Sequence, residues 1–341
     1  MRHEKPSILV IGAGAVGGIT ATLLSSKGYD VAIVAKYPEY AELIQSRGLK
    51  VSGACGALQV RVPAFASVEE VKGEKDIILL AVKANDMASA ARDALPLAGK
   101  GSYFVSMQNG ICEYELAGIA GKEKTIGCVV GWGATMETRG ELKMTSAGDF
   151  IIGYPGREPD NDLLKIASIL EAVVPVKTTS NIMGHRYSKL IINSCITSMG
   201  AVCGLYLGEM LAIKRMRRIF VSIIREAVAV ADAMKLKPEV FGGRLDFRRF
   251  IEGDGWYDNL RRDIMIRIIG FRYRRLKSSS LQSLERGRPS EIDYLNGFIV
   301  SQASEYGIPV PVNSRIVEMV KMIEHGELPF SIRNFDDPVF D

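Results

Sequence analysis

The chain has 341 residues, 43 basic and 39 acidic side chains, and a net charge of +4. A hydrophobic content of 47% with 24% charged residues is that of a folded globular protein, and it excludes a disordered, collagen-like or disulfide-scaffold chain. The length suits two domains better than one. The basic excess lies in residues 181–341, too slight to imply nucleic acid and of a kind that suits an anionic small substrate or cofactor.

In chain order, Ser7-Ile-Leu-Val-Ile11 is a short apolar run suited to a buried parallel strand. A glycine cluster follows, then a helix-like run at residues 19–24 closed by Gly28, and a second strand at 30–35. Residues 7–26 carry no charge and match a membrane span in length, but the glycines at 12, 14, 17 and 18 punctuate the run as strand, turn and helix, so no membrane segment is expected. Residues 49–62 predict a hairpin around Gly53 and Gly56. Strands are expected at 76–82, 102–107, 125–130 and 176–179, with helices at 87–95 and 162–172. Residues 142–152 read as an antiparallel pair turning at Ala147-Gly148. Alternating strands and helices predict a doubly wound, mostly parallel sheet over residues 1–180. Helical periodicity dominates residues 181–341, which predicts an all-helical second domain, ending in an irregular tail from Pro329.

The five cysteines form no C-x-x-C pair and the three histidines lie far apart, so neither a metal site nor a disulfide framework is expected, and a cytoplasmic location fits. The chemistry falls elsewhere. Gly12-Ala-Gly14-Ala15-Val16-Gly17 is a G-x-G-x-x-G in the setting that gives it meaning, after a strand and opening a helix. Gly12 allows the tight turn, Gly14 lets backbone approach a pyrophosphate, and Gly17 lets helix pack on strand. The amides of the first helical turn then face the phosphates. At the end of the second strand, where an NAD binder usually carries a carboxylate, stands Ala35-Lys36; a lysine there favours NADP(H) by pairing with a 2′-phosphate. Val82-Lys83-Ala84 and Gln108-Asn109-Gly110 sit at carboxyl ends of strands, where ligands of open α/β sheets collect.

In the second half, Lys189, Asn193 and Thr197 recur every four residues and form one polar stripe on an otherwise apolar helix. A buried lysine is costly unless it is paired or lines a polar cleft, so the stripe suggests a wet cleft between the two domains, and desolvation would bring its pKa toward the acid–base range. His185, one turn earlier, reads as a helix-start residue. Glu291, after Gly287-Arg-Pro-Ser290, is expected in the first turn of a helix, where the dipole favours an acid.

Taken together, the glycine fingerprint, Val82-Lys83-Ala84, Gln108-Asn109-Gly110, Lys189-Leu-x-x-Asn193, Glu291-Ile-Asp-Tyr-Leu-Asn-Gly297 and Gly307-Ile-Pro-Val-Pro-Val-Asn313 resemble the ketopantoate reductase family over nearly the whole chain. The resemblance implies a Rossmann-type amino domain, a helical carboxyl domain and an active site between them, with NADPH-dependent reduction of ketopantoate to pantoate on the way to coenzyme A. It implies Lys189 as general acid and Asn193 as a substrate hydrogen-bond partner. Asn109 and Ser279 would hold the substrate or the nicotinamide end, Lys83 and Glu291 would contact the cofactor ribose or tune Lys189, and Lys36 would meet the NADP phosphate.

Three features depart from the family pattern. Thr197 stands where many members have a second asparagine that contacts the substrate hydroxyl. Ser283 replaces a common aspartate. Residues 246–277 are longer than in compact members and rich in arginine, which leaves a homodimer contact, an anion-attracting rim or a solvated amphipathic segment as readings. The rivals to ketopantoate reduction are reduction of another branched 2-oxo acid to a D-2-hydroxy acid, and a non-catalytic NADPH-binding sensor.

Overall fold

The computed structural model describes residues 5–341. They form two compact units, the first built from the chain up to residue 108 together with residues 112–183, the second from residues 109–111 and 184–341. The first unit runs β1 (Ser7–Ile11), α1 (Ala15–Ser26), β2 (Asp30–Val34), α2 (Pro38–Arg47), β3 (Leu49–Gly53), β4 (Leu58–Val60), β5 (Ala64–Phe65), β6 (Lys75–Leu80), α3 (Ala84–Ala94), β7 (Ala98–Ser106), α4 (Glu113–Ala120), β8 (Thr125–Val130), β9 (Gly133–Thr138), β10 (Glu141–Ser146), β11 (Phe150–Gly153), α5 (Asn161–Leu170) and β12 (Val176–Thr178). Eight strands form one sheet in the order β12-β11-β8-β7-β6-β1-β2-β5, parallel except where β11 runs antiparallel to β8. The inner strands are near-continuous apolar runs because both faces are covered, as in Ile8 to Ile11 and Ile77 to Leu80. This is the predicted Rossmann-type α/β arrangement.

Local chemistry accounts for the first βαβ unit. α1 ends in a Schellman closure: Gly28, at φ +75°, donates its N–H to the Ser25 carbonyl, and Tyr29 donates to the Leu24 carbonyl.

A second, four-stranded sheet in the order β4-β3-β10-β9 packs over α1, where Leu142 lies against Gly18. The β3–β4 hairpin is antiparallel as the alternation predicts. The expected pair over residues 142–152 does not form. β10 instead pairs with β9 through a turn at Gly140, at φ +87°, and β11 crosses to the main sheet. Ala147-Gly148 is the crossing point and not a hairpin tip. There Gly148 passes so close to Gly131 that an added Cβ would lie 2.2 Å from the Gly131 carbonyl oxygen.

Helix α6 (Ile182–Cys203) leads into the helices of the second unit: α7 (Leu207–Ala212), α8 (Lys214–Ala233), α9 (Phe247–Ile251), α10 (Trp256–Arg272), α11 (Ser279–Glu285), α12 (Asn296–Tyr306) and α13 (Pro311–Glu324). Residues 329–341 are not an irregular tail. They form two short 3-10 turns, and Phe335 and Phe340 are buried edge-on against each other.

A buried polar chain fixes this bundle. The Ser198 hydroxyl donates to Asn296 Oδ1, and Asn296 Nδ2 donates to the Ser194 carbonyl and, at 2.9 Å, to Asn313 Oδ1. Glu226 accepts from the Val312 and Asn313 amides at the start of α13 and from Asn313 Nδ2 at 2.6 Å. Burial raises the Glu226 carboxyl above its ordinary range, and these three donors pull it back. Glu226→Ala is expected to strand three donors in the interior and to cost about 3 kcal/mol in a urea titration; a loss under about 1 kcal/mol would show that the chain of bonds is incidental.

Candidate active site

The glycine turn is the sharpest part of the first unit. Gly12, at φ +108°, has no room for a side chain: a Cβ would come within 2.8 Å of the Ala81 carbonyl and the Val82 nitrogen. At Gly17 a Cβ would lie 2.0 Å from the Gly12 oxygen. At Gly14 a Cβ would meet nothing within 4 Å. Gly12 and Gly17 are therefore demanded by the protein's own packing, whereas the backbone at Gly14 is bare toward open space. Gly14 also occupies the N-cap of α1 without any side-chain hydrogen bond, and the first turn holds no acidic residue. An uncapped, unopposed helix start with a bare approach fits a dinucleotide pyrophosphate, met by the amides of Ala15, Val16 and Gly17.

At the end of β2, Lys36 sits at φ +60°, and its Nζ lies 4.0 Å from Asp86 Oδ1, both side chains largely exposed. No carboxylate stands at the strand end itself. A second cation reaches this corner from the turn of β9 and β10: the Arg139 guanidinium lies 5.6 Å from the Tyr37 ring centroid and 3.1 Å from Glu39. Sequence reading misses Arg139, because nothing local marks a residue about a hundred positions from Lys36 as its neighbour.

Lys83 is exposed at the N-cap of α3. In Gln108-Asn109-Gly110 the roles divide. Gln108 is buried; it accepts from the Ser106 hydroxyl at 2.9 Å and donates to the Leu80 carbonyl at 2.8 Å, locking the ends of β7 and β6. Asn109 is half-buried, and Gly110, at φ +81°, lies against Tyr294, whose carbonyl oxygen would be 2.4 Å from a Cβ. Asn109 thus belongs with the second unit's residues.

In the second unit α6 is buried along most of its length. Among its first fifteen residues only His185, Lys189, Ile192, Asn193 and Ile196 keep partial exposure, a line of one face at helical spacing. Lys189 and Asn193 lie on this line with His185. Thr197 does not: it is only 7% exposed. Ser278 packs on Gly200 of α6, 3.0 Å from where its Cβ would be, and caps α11 by accepting from the Leu281 amide. This sets Ser279, exposed at the first position of α11, near the carboxyl half of α6. Ser283, the other departure, donates to the Ser279 carbonyl at 3.0 Å. Glu291 is half-buried and is not in the first turn of an α-helix. It precedes a 3-10 turn over residues 292–294, and α12 begins only at Asn296, because the backbone of Leu295, at φ −110° and ψ −106°, is not helical.

The comparisons with known proteins extend this picture. Residues 8–157 match the family described as "Ketopantoate reductase PanE/ApbA", and residues 181–324 match "Ketopantoate reductase PanE/ApbA C terminal". The chain belongs to the ketopantoate reductase family. A 2-dehydropantoate 2-reductase of Pyrococcus abyssi is 30% identical over 92% of this chain and 96% of its own. One of Aquifex aeolicus is 27% identical over 93% and 96%. A PanE/ApbA family ketopantoate reductase from Ralstonia eutropha JMP134 superposes with a TM-score of 0.81 at 29% identity, covering 94% of this chain and 99% of that one. D-mandelate dehydrogenase, solved with NADH and anilino(oxo)acetate, shares the fold with a TM-score of 0.80 at 21% identity, covering 94% and 99%. The family is one of pyridine-nucleotide-dependent oxidoreductases that act on 2-oxo acids. Among the described residues, no helix is long and apolar enough to cross a membrane.

Proposed function

We propose that this protein is an NADPH-dependent 2-oxo acid reductase that converts ketopantoate to pantoate, with residues 1–180 as the dinucleotide-binding domain and residues 181–341 as the substrate and catalytic domain. The observation that carries the reading is the Lys189–Asn193 line, a cation and an amide left accessible on a helix whose remaining faces are buried. NADPH held at the Gly12–Gly17 turn supplies the hydride for the carbonyl carbon.

The protein's own groups do the rest. Charge gathers on the carbonyl oxygen, and the Lys189 ammonium stabilises it and gives up a proton to form the hydroxyl. Asn193 donates an amide hydrogen to the substrate and fixes its orientation. Ser279 and Asn109 hold its polar groups. Glu291 tunes Lys189, and Lys83 meets the cofactor ribose. At the β2 corner, Lys36 takes the 2′-phosphate, with Arg139 adding positive potential.

Cofactor choice gives a direct test of this arrangement. Lys36→Ala is expected to raise the Kd of NADPH tenfold or more, about 1.5 kcal/mol, and to leave NADH within about twofold. Equal weakening of both, measured by fluorescence titration, would remove Lys36 from phosphate recognition. Product analysis tests the reaction: pantoate should appear one-for-one with NADPH consumed.

A second reading keeps the mechanism and changes the substrate. The burial of Thr197 favours it, since a shorter side chain off the accessible line is poorly placed to meet a substrate hydroxyl. The 2-oxo acid would then be another branched one, reduced to a D-2-hydroxy acid. The five cysteines, all of them thiols, support a reducing cytoplasm as the site of action.

A further inference from the structure

The corner at the end of β2 sets two cations against two carboxylates. Lys36 faces Asp86 at 4.0 Å, and Arg139 holds Glu39 at 3.1 Å. Among the described residues, Lys36 is one of two non-glycines at positive φ, in a tight turn closed by the Tyr37 N–H on the Ala35 carbonyl at 2.6 Å. Such a backbone is strained and persists where its surroundings dictate it. The corner adjoins the glycine turn. The Tyr40 hydroxyl donates to the Ala13 carbonyl at 3.1 Å, which ties the first turn of α2 to the loop proposed for the pyrophosphate.

Arg139 reaches this corner because its own turn is fixed there. Gly140, at φ +87°, lies so close to Leu43 of α2 that an added Cβ would be 2.7 Å from a Leu43 methyl group, and its carbonyl accepts from the Lys50 amide at 2.8 Å. The guanidinium then stands over the ring of Tyr37, the residue next to Lys36. The other acid of this turn is committed elsewhere. Glu141 accepts from Lys50 at 3.1 Å and from Thr138 at 3.0 Å, and these bonds hold its carboxyl below the ordinary range.

Both partner carboxylates can do without their cations. Glu39 lies in the first turn of α2 and Asp86 in the first turn of α3, where the helix dipole favours an acid. All four side chains are more than half exposed. Exposed ion pairs contribute little, whereas a phosphate can engage a guanidinium through two charge-assisted hydrogen bonds. The charges of the corner balance as they stand, so a phosphate is attracted only as far as the cations exchange partners.

We propose that Arg139 is a second selector of NADPH: it leaves Glu39 and binds the 2′-phosphate directly beside Lys36, and Glu39 and Asp86 are the counter-ions that the phosphate displaces. The inference rests on the NADPH reading above and adds to it a second phosphate ligand and the carboxylates that oppose binding.

Fluorescence titration of the intact protein with NADPH and with NADH, which differ only in the 2′-phosphate, tests it. Arg139→Met keeps the stem over Tyr37 and removes the charge. It is expected to raise the Kd of NADPH about fivefold or more and to leave that of NADH within about twofold. Added salt should weaken NADPH less steeply in this variant than in wild type. Glu39→Gln is expected to act in the opposite direction, tightening NADPH about threefold with NADH unchanged, since it removes the competing carboxylate. Melting temperatures close to wild type are the control for both variants. Equal weakening of the two cofactors in Arg139→Met would make the residue a prop for Tyr37 and overturn the inference. Unchanged affinity for both would also overturn it, as would weaker NADPH binding in Glu39→Gln. Any of these leaves the NADPH reading in place if Lys36→Ala still weakens NADPH alone. Equal affinity of the wild type for NADPH and NADH would remove that reading and the inference together.

Discussion

Lys189→Ala is expected to lower kcat with ketopantoate by about a hundredfold or more, some 2.7 kcal/mol of transition-state stabilisation, while the Kd of NADPH stays within about twofold. The separation follows from where the residue sits. The proposed dinucleotide elements at Gly12–Gly17 and Lys36 belong to the first unit, and Lys189 lies on α6 in the second. The fold should tolerate the change. The buried faces of α6 carry Tyr187, Leu190, Ile191 and Cys195, and alanine is the best helix former. A melting temperature close to wild type is the control. Lys189→Arg divides the two tasks of the ammonium. It keeps a positive charge but holds its proton far too tightly to donate it, so activity should be recovered only in part. Turnover unchanged in Lys189→Ala would remove the residue from acid catalysis and leave Asn193 and His185 as the remaining groups of that line.

The second large effect is at the glycine turn, where three glycines that look alike in sequence should behave differently. Gly17→Ala drives a methyl group to 2.0 Å from the Gly12 oxygen and 2.8 Å from the Ala81 side chain. The strand and helix must separate, and both stability and NADPH binding should fall, the former by about 2 kcal/mol or more. Gly14→Ala should leave the melting temperature unchanged, because the backbone there is already in an ordinary extended conformation and the added methyl meets nothing. NADPH affinity should still drop tenfold or more, since the methyl occupies the approach that the pyrophosphate needs. A Gly14→Ala protein with wild-type affinity would mean that the phosphates do not approach α1 from this side.

What could be read from the sequence was what is local. The fingerprint and its flanking strand and helix lie within about thirty residues, and the period of four along α6 is visible in Lys189, Asn193 and Thr197. Burial then split that stripe, leaving Lys189 and Asn193 on the accessible line and drawing Thr197 inward, which periodicity alone does not report. Non-local pairing was not legible. β10 takes its parallel partner from β3, with Glu141 opposite Lys50 some ninety residues away, so the run of residues 142–152 suggested a hairpin that tertiary pairing overrode. Glu291 was expected to open a helix from its turn residues; the non-helical backbone of Leu295 separates the 3-10 turn after it from the helix that begins at residue 296. In α10 the sequence showed arginines among apolar residues, and only the packing shows which of those apolar residues are turned inward, Ile266, and which outward, Ile264 and Ile268.

Initial rates of NADPH oxidation with ketopantoate and a panel of other 2-oxo acids, benzoylformate among them, test the reductase assignment most directly. Rapid turnover with ketopantoate, cut by about a hundredfold or more in Lys189→Ala and slow with the other acids, is the expected result. Tight NADPH binding with no turnover on any member of the panel would contradict it, and would make the protein a dinucleotide-binding sensor and not an enzyme.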